Sequence, residues 1–325
     1  KPDFIEGSSP WRGGWVAARQ PRRIPRALVF HQDPVLSYPH VVLRNRVAPD
    51  TIDRSFRWFF RYMTKLQSHY DLSVVSSSWL AERLAQHGLE RPTVVPFGID
   101  RRLFANATPS AYLRRAMLAE CGVDNPNATL FFSASRLHPE KRVPMMLEAF
   151  RKASRAAPMA LYHVGDGPYR ERVAAVAATV PGARIAGIIR DREQIATMYA
   201  SADCYLHACP NETFGMTVAE SMAAGAVVVA PAAGAVCDLM DPSFALSFAA
   251  DDIDAMAEAM LRFTRTDAAW RASARAASRA KSPSIENHFA NLFALYERHL
   301  EARRSDRVLD QRRIRDRAPR LEKVA

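Results

Sequence analysis

Two glutamates, Glu212 and Glu220, flank the start of a predicted helix in the segment PNETFGMTVAESMAAGAVVVAP, residues 210–231. Thr213, Phe214 and Gly215 form the turn before that helix, and the first N–H groups of a helix have no partner within it. The helix dipole adds roughly half a positive charge at this end, which favours a bound phosphate. The segment therefore combines anion-binding N–H groups with two carboxylates, and it predicts a sugar-nucleotide site.

The two carboxylates suit sugar hydroxyls because an ionised carboxylate accepts hydrogen bonds without donating any. Glu212, in the loop, could hold the hydroxyls of a hexose, and Glu220, one turn into the helix, could hold the two hydroxyls of a ribose. Two structural explanations stay open. Thr217 and Glu220 also fit the S/T-x-x-E capping box, which would only satisfy helix N–H groups. Taken alone, Glu212 is more typical of a solvated loop.

The second half of the chain alternates between apolar strands and helical segments. From residue 128 onward, the predicted strands are ATLFFSA, ALYHVG, ARIAG, CYLHA and AVVVAP, and the predicted helices cover residues 143–156, 169–179, 193–201 and 217–224. Strands separated by helices of this length form βαβ units. They predict an α/β domain whose parallel sheet has helices on both faces.

The first half of the chain is built less completely. It contains the strands ALVF, DLSVVSS and PTVVPFG, separated by an aromatic helix near residues 54–65 and a helix near residues 79–87. This half is short for a whole domain. It predicts the later part of a second Rossmann-like α/β domain with a parallel sheet.

Two more loops follow strands of the second half, where a parallel sheet usually binds its ligands. In SASRLHPEKR, Arg136 and Lys141 could clamp a diphosphate, although two isolated cations are more often solvated. In VGDGPYRE, Gly165 and Gly167 permit a tight turn. A single G-D-G is weak evidence, because any loop between a strand and a helix can use it.

Composition fits a globular chain of about two domains, with 325 residues, 48% hydrophobic and 24% charged residues. The four cysteines are too few and too scattered for a disulfide framework, which favours a reducing cytosol and a cytoplasmic protein. Cys204, His207 and Cys209 are better explained as buried side chains than as a metal site. Asp252 and Asp254 would match a D-x-D metal motif, yet they open an alanine-rich helix and are better explained by its cap. We expect no metal and no cofactor.

Positive charge is concentrated at the two ends of the chain. Residues 1–70 carry 12 Lys/Arg against 5 Asp/Glu, and residues 301–325 carry 9 against 5, within a total net charge of +11. The aromatic helix carries Arg54, Arg57, Arg61 and Lys65 among Phe56, Trp58, Phe59, Phe60 and Tyr62. Such a helix could lie on an anionic membrane or meet an anionic acceptor, although aromatics packed in a core under a solvated basic face are at least as typical. No nucleic-acid-binding motif is present, so nucleic acid is not expected.

The motifs SASRLHPEK, VGDGP and NETFGMTVAESMAAGAVVVAP, in this order and spacing, resemble the donor-binding domain of retaining glycosyltransferases of family 4, which have the GT-B fold. VVSSSWLAERL and VPFGIDRRLF resemble the end of that family's acceptor domain, and SPSIENHFANLFALYERHL resembles its returning C-terminal helix. The two glutamates eight residues apart, together with the Arg and Lys positions, carry the specificity of this resemblance. The glycines alone do not.

The resemblance implies a role for each candidate residue. Arg136 and Lys141 would bind the donor diphosphate, Glu220 the ribose and Glu212 the transferred sugar. The backbone of Phe214, Gly215, Met216 and Thr217 would hold the phosphates and the hexose. His31, in VFHQDP, resembles a histidine that contacts the sugar near the reacting carbon, although a lone histidine after a strand is usually structural.

The resemblance also implies the domain boundaries. Residues 1–107 would form a partial acceptor-side domain, 108–280 the donor domain, 281–303 a helix that returns to the first domain, and 304–325 a basic tail that is disordered or a frayed helix extension. The family's N-terminal glycine-rich loop would precede Lys1, so we expect an N-terminally truncated chain that can bind nucleotide without being active.

The implied function is retaining, metal-independent transfer of a hexose, mannose or glucose, from a GDP- or UDP-sugar to a lipid or glycan acceptor. The acceptor would be reached in the cytoplasm, with peripheral contact to an anionic membrane. Two alternatives stay open at this point. One is another GT-B enzyme, a sugar-nucleotide epimerase or a phosphorylase, and the other is a sugar-nucleotide-binding module without turnover.

Overall fold

The computed structural model describes residues 2–43 and 46–317, with side chains through residue 305. Two α/β domains follow one another along the chain, each built on its own parallel sheet. The fold-class prediction of two Rossmann-like domains with parallel sheets is confirmed.

The N-terminal domain has a four-stranded sheet in the order β1-β2-β3-β4. Its strands are β1 (Ile5–Gly7), β2 (Arg26–Phe30), β3 (Leu72–Val75) and β4 (Thr93–Val94). Its helices are α1 (Arg12–Ala18), a π-helical turn (Leu36–His40), α2 (Val41–Leu43), α3 (Pro49–Ser55), α4 (Arg57–Gln67) and α5 (Ser78–Gln86). All five residues of β2 are buried, as expected for a central parallel strand that is covered on both faces.

Two helices lead from the first sheet into the C-terminal domain, α6 (Arg101–Ala105) and α7 (Ala111–Glu120). The second sheet has the order β10-β9-β8-β5-β6-β7. Its strands are β5 (Thr129–Ala134), β6 (Met159–Val164), β7 (Ala183–Ile185), β8 (Cys204–Leu206), β9 (Val227–Pro231) and β10 (Ala245–Phe248). The helices are α8 (Val143–Ala153), α9 (Arg170–Ala177), α10 (Arg192–Ser201), α11 (Met216–Ala223), α12 (Ile253–Thr264) and α13 (Ala268–Lys281).

The central strands of this second sheet are fully buried, and they form the main hydrophobic core with α8, α11 and α12. Asp252 caps α12, because its side chain accepts a hydrogen bond from the N–H of Ala255 at 2.9 Å.

Two strands, β1 and β10, were not among those expected from the sequence. Both are short strands at the end of a sheet, where alternation and apolar content are weakest.

The last helix, α14 (Ile285–Arg317), returns from the C-terminal domain to the first sheet. Leu292 and Tyr296 on this helix join Ala27, Val29 and Val74 of the N-terminal sheet in one apolar cluster. The helix continues to Arg317, although the sequence favours disorder from residue 304. The remainder of the predicted tail, residues 318–325, lies outside the described residues.

The two domains also meet through hydrogen bonds beside the candidate site. Ser76, just after β3, donates from its hydroxyl to the carbonyl oxygen of Thr213 at 2.8 Å. The backbone N–H of Ser78 donates to Asp238 Oδ2 at 2.6 Å. These contacts hold the 213–215 turn against the N-terminal domain.

Within the described part of the chain, no helix combines the length and apolarity needed to cross a bilayer.

Candidate nucleotide-sugar site

Helix α11 starts at the glycine that the sequence marks. Gly215 is its N-cap residue with φ +98°, a left-handed conformation that favours glycine. No side chain of the described residues caps this helix, so the capping box between Thr217 and Glu220 is not formed. Thr217 lies inside the helix instead, and its hydroxyl accepts a hydrogen bond from the Tyr205 hydroxyl at 2.8 Å. The first N–H groups of α11 are therefore left for water or a ligand.

A lysine–glutamate pair lies beside this helix start. The Lys141 ammonium is 2.6 Å from Glu212 Oε1, and the two side chains are only 14% and 16% exposed. Glu212 is thus a partly buried, paired carboxylate, which is not the solvated loop acid that it could have been. The loop after β5 and the loop after β8 meet here because their strands are neighbours in the sheet.

The pair fixes both charges. Burial alone would raise the pKa of Glu212, but the charge and hydrogen bond of Lys141, together with His207 and a hydrogen bond with Cys209, outweigh burial and lower the pKa from 4.5. Burial would lower the pKa of Lys141, but the charge and hydrogen bond of Glu212, with contributions from Cys209 and Glu140, outweigh burial and raise the pKa above 10.5. His207 lies behind the pair, where burial lowers its pKa to about 4 and keeps the imidazole neutral at pH 7. A cation and an anion therefore stand next to the helix N-terminus at neutral pH.

Glu220 lies one turn along α11 from this pair. Arg192 donates to its Oε1 at 3.3 Å, and the Tyr199 hydroxyl donates to its Oε2 at 3.5 Å. Burial raises its pKa above 4.5 and outweighs the opposing effect of Arg192. A hydroxyl-rich ligand could satisfy the remaining acceptor positions of this carboxylate.

Arg136 and the two glycines of the G-D-G loop have different roles in the structure. The Arg136 side chain is 77% exposed and bonds only weakly to Glu140 at 3.3 Å, so it is available to a ligand. A Cβ added to Gly165 would lie 1.8 Å from the carbonyl oxygen of Ser135, and one added to Gly167 would lie 2.5 Å from that of Leu137. These glycines let one loop pack against the backbone that carries Arg136. They stabilise the loop that carries Arg136 and do not themselves line the cleft described below.

A cleft of about 330 Å³, hereafter the Lys141 cleft, brings together most of the predicted residues. Its walls are formed by Phe97, Ser135, Arg136, Lys141, Glu212, Thr213, Phe214, Gly215, Met216 and Thr217. Glu220, His31, Gly165 and Gly167 are described by the structure but do not line it. The ring of His31 stacks on the Phe97 ring at a centroid distance of 5.8 Å, and this contact places the histidine one ring away from the cleft.

One potential metal-binding group appears among the described residues. His207, Cys209 and Glu212 place one ligand atom each within 4.8 Å of one another, a different trio from the one considered on the sequence. The Lys141 ammonium already holds the Glu212 oxygen of this group, and burial raises the pKa of Cys209 to about 12. A cation would have to displace the lysine and deprotonate a thiol. Cys121, Cys204, Cys209 and Cys237 are all free, and the first three are buried.

The chain is similar in sequence to known glycosyltransferases. Residues 128–266 match the family model described as glycosyl transferases group 1. The GDP-mannose-dependent alpha-mannosyltransferase of Mycolicibacterium smegmatis is 32% identical over 244 residues, which cover 74% of this chain and 59% of the relative. The GDP-mannose-dependent alpha-(1-6)-phosphatidylinositol dimannoside mannosyltransferase of Mycobacterium tuberculosis is 29% identical over 174 residues, 53% of this chain and 44% of the relative. The chain thus spans about half the length of these relatives.

Among solved structures, Anabaena HepE in complex with UDP and glucose superposes with a TM-score of 0.70 at 18% identity, covering 91% of this chain and 77% of that one. The chain has the GT-B fold. Together with the sequence matches, this fold supports a glycosyltransferase.

Several residues at the site were not found from the sequence. Arg192, Tyr199 and His207 contact the two glutamates, and Phe97 and Ser135 line the cleft. No pattern marks Arg192 and Tyr199, because both lie on α10 and only the fold brings that helix to Glu220. His207 was considered only as a buried side chain. Ser135 lies within the SASRLHPEK motif and Phe97 within VPFGIDRRLF, and these two positions were the available signals.

Proposed function

We propose that this protein transfers a hexose from a nucleoside diphosphate sugar to a lipid or glycan acceptor with retention of anomeric configuration. The observation that carries the proposal is the Lys141–Glu212 pair at the uncapped start of α11, within one cleft. A cation, free N–H groups and a carboxylate together match a diphosphate joined to a sugar.

In this proposal the donor lies along the start of α11. Arg136 and Lys141 bind the diphosphate, with the backbone from Phe214 to Thr217 donating to the phosphate and hexose oxygens. Glu212 accepts from the hexose hydroxyls. Glu220 accepts from the ribose diol, one turn further from the Lys141 cleft. Each hydrogen bond to a charged group contributes about 1.5–3 kcal/mol, so loss of one cation should be measurable.

The reaction needs no covalent intermediate with the protein. The bond between the anomeric carbon and the phosphate oxygen breaks, the acceptor oxygen forms the new bond on the same face, and its proton passes to the leaving phosphate. Arg136, Lys141 and the helix N-terminus stabilise the negative charge that builds up on the diphosphate. His31 stands near the hexose through its contact with Phe97.

The activities of two relatives support a first choice of substrates. Two relatives are GDP-mannose-dependent, and one of them acts on a phosphatidylinositol dimannoside. We therefore propose GDP-mannose as the leading donor and UDP-glucose as the second, with a lipid-linked acceptor at the cytoplasmic face of a membrane.

Thermal-shift titration with GDP-mannose and UDP-glucose tests donor binding, because a ligand at 100 times its Kd stabilises the fold by about 2.7 kcal/mol. Time-resolved product analysis with an added acceptor, followed by NMR of the new anomeric carbon, tests transfer and retention. Isomerised donor without acceptor would favour an epimerase, and phosphate-dependent cleavage of a glycan would favour a phosphorylase. Donor binding without any turnover would favour a binding module.

A further inference from the structure

A polar cavity lies next to the Lys141 cleft, between the two domains. Its volume is about 570 Å³, and it is lined by Asp53, Trp79 and Arg83 from the N-terminal domain and by Arg142, Asn211 and Asp251 from the other. Asn211 directly precedes Glu212, and Arg142 directly follows Lys141. The cavity is therefore lined by the immediate chain neighbours of Lys141 and Glu212, the pair that would hold the donor.

The N-terminal wall of this polar cavity is held by a buried ion network. Arg83 donates to both oxygens of Asp53, at 2.9 and 3.2 Å, and to Asp33 at 2.5 Å. His40 contacts Asp53 at 2.8 Å. Asp53 lines the cavity in this fixed position beside Trp79, whereas Asp33 is fully buried behind it. A fixed carboxylate beside an aromatic ring forms a wall suited to a polyol.

The opposite wall contains an unusual backbone. Among residues 2–43 and 46–317, Arg142 and Asp251 are the non-glycine residues with positive φ, at 56° and 57°. They bind each other, with Arg142 Nε 2.5 Å from Asp251 Oδ1. Left-handed backbone is uncommon outside glycine, more so for arginine than for aspartate, and it recurs at ligand sites. Both strained residues lie in the same polar cavity.

An aromatic groove of about 480 Å³ lies on the other side of the π-helical turn Leu36–His40. Leu36 and His40 of this turn face the polar cavity, whereas Tyr38 and Pro39 line the groove. The groove's other residues include Trp11, Val35, Phe56, Trp58, Phe59 and Tyr62. One short segment therefore separates a polar compartment from an apolar one.

The groove presents apolar surface to solvent, and one of the helices that line it carries exposed arginines. Trp58 is 63% exposed and Tyr38 is 62% exposed. The Tyr62 hydroxyl, a polar atom of the groove, is satisfied inside the protein, since it donates to Pro10 O at 2.6 Å. On α4, Arg57 and Arg61 are exposed, one position before and three positions after Trp58. Exposed arginines beside an apolar groove complement an anionic lipid surface.

We propose that the polar cavity and the aromatic groove together form the binding site of one amphiphilic acceptor. Its polyol headgroup occupies the cavity beside Asn211, and one acyl chain occupies the groove while the lipid remains in an anionic leaflet. This inference rests on the proposed transferase function, and it selects a lipid over a free glycan as the acceptor. It also assigns the headgroup to Trp79 and the chain to Trp58.

These two tryptophans allow each compartment to be tested in the full chain. Vesicles of phosphatidylcholine and phosphatidylinositol, with a brominated acyl chain on the phosphatidylinositol, should quench the intrinsic fluorescence. Trp58→Phe should remove at least half of the quenching, and the control Trp270→Phe, in helix α13 of the other domain, should leave it nearly unchanged. Because Trp58 is exposed, its replacement should not affect folding.

The headgroup is tested with soluble glycerophosphoinositol. This probe should change the fluorescence of the wild type and of Trp58→Phe, but not that of Trp79→Phe. If Trp79→Phe does not fold, protection of the Asn211 loop from hydrogen exchange by the same probe replaces the fluorescence readout.

Equal quenching in Trp58→Phe and Trp270→Phe would overturn the inference, and so would a headgroup response that survives in Trp79→Phe. Self-association that Trp58→Ser abolishes would show that a second copy occupies the groove, which also overturns it. Donor binding is measured separately by thermal shift with GDP-mannose and UDP-glucose. Failure of the lipid tests with donor binding intact rejects this inference alone, whereas failure of donor binding rejects the proposed function.

Discussion

The Lys141–Glu212 pair should behave as a strongly coupled unit in a double-mutant cycle. Removing one partner of a buried ion pair costs about 3–5 kcal/mol, because the other charge is left uncompensated. Here the side chains are 14% and 16% exposed, and the amide introduced by Glu212→Gln would keep a hydrogen bond to the lysine. We therefore expect Glu212→Gln and Lys141→Met each to lower the free energy of unfolding by about 2–3 kcal/mol.

The double variant removes both charges, so it should cost less than the sum of the two single variants by about 2 kcal/mol. Urea unfolding at pH 7 measures all four proteins. The pair Lys152–Asp254 is the matched control, since its Nζ–Oδ1 distance is also 2.6 Å but its side chains are 49% and 80% exposed. Its coupling should stay below about 1 kcal/mol.

The coupling between Lys141 and Glu212 should also depend on pH in a defined direction. The lowered pKa of Glu212 gives stability that is complete above its ordinary value of 4.5 and is lost as the pH falls through the lowered value. The raised pKa of Lys141 gives stability that is complete below 10.5 and is lost as the pH rises through the raised value. Costs that add to within about 0.5 kcal/mol at pH 7 would refute the pair as a coupled unit.

Three further variants test the neighbouring residues. Glu220→Gln should weaken donor affinity, measured by calorimetry. The variant should unfold at an equal or higher temperature, because the raised pKa of Glu220 marks a charge that the fold disfavours at pH 7. Unchanged affinity would contradict the assignment of Glu220 to the ribose. Arg136→Ala should weaken nucleoside diphosphate binding by about tenfold or more at unchanged stability, and the exposed control Arg115→Ala should change neither. Gly165→Ala should lower the free energy of unfolding by about 3 kcal/mol or more, because the new Cβ would lie 1.8 Å from the carbonyl oxygen of Ser135. A variant that unfolds at the same urea concentration as the wild type would contradict this loop packing.

Much of the fold could be predicted from local patterns. Buried strands such as Thr129–Ala134 and Val227–Pro231 are continuous apolar runs, and helices of regular length separate them, so their existence and type are visible in the sequence. The edge strands Ile5–Gly7 and Ala245–Phe248 could not be predicted in the same way. They are short, and pairing with a neighbouring strand defines them more than their own composition does.

The sequence of the aromatic helix α4 did not predict which of its aromatic side chains are buried. Its sequence allowed either a core helix or a membrane-facing one, and the fold buries some of its aromatics and exposes others. Phe59 and Phe60 are buried, whereas Trp58 is exposed beside Arg57 and Arg61. Which aromatics are covered depends on the packing of α1 and α3 against α4, and that packing is not encoded in the spacing of α4 alone.

The sequence by itself determined the parallel sheets, the glycine at the start of α11 and the types of charged residue at the candidate site. These features are local, because a helix start, a tight turn or a buried strand depends on residues adjacent in the chain. Only the tertiary structure decided that Glu212 is paired with Lys141 and that Thr217 does not cap α11. It also decided that a polar cavity and an aromatic groove share one turn, since these contacts join residues far apart in the chain that only the folded sheets bring together.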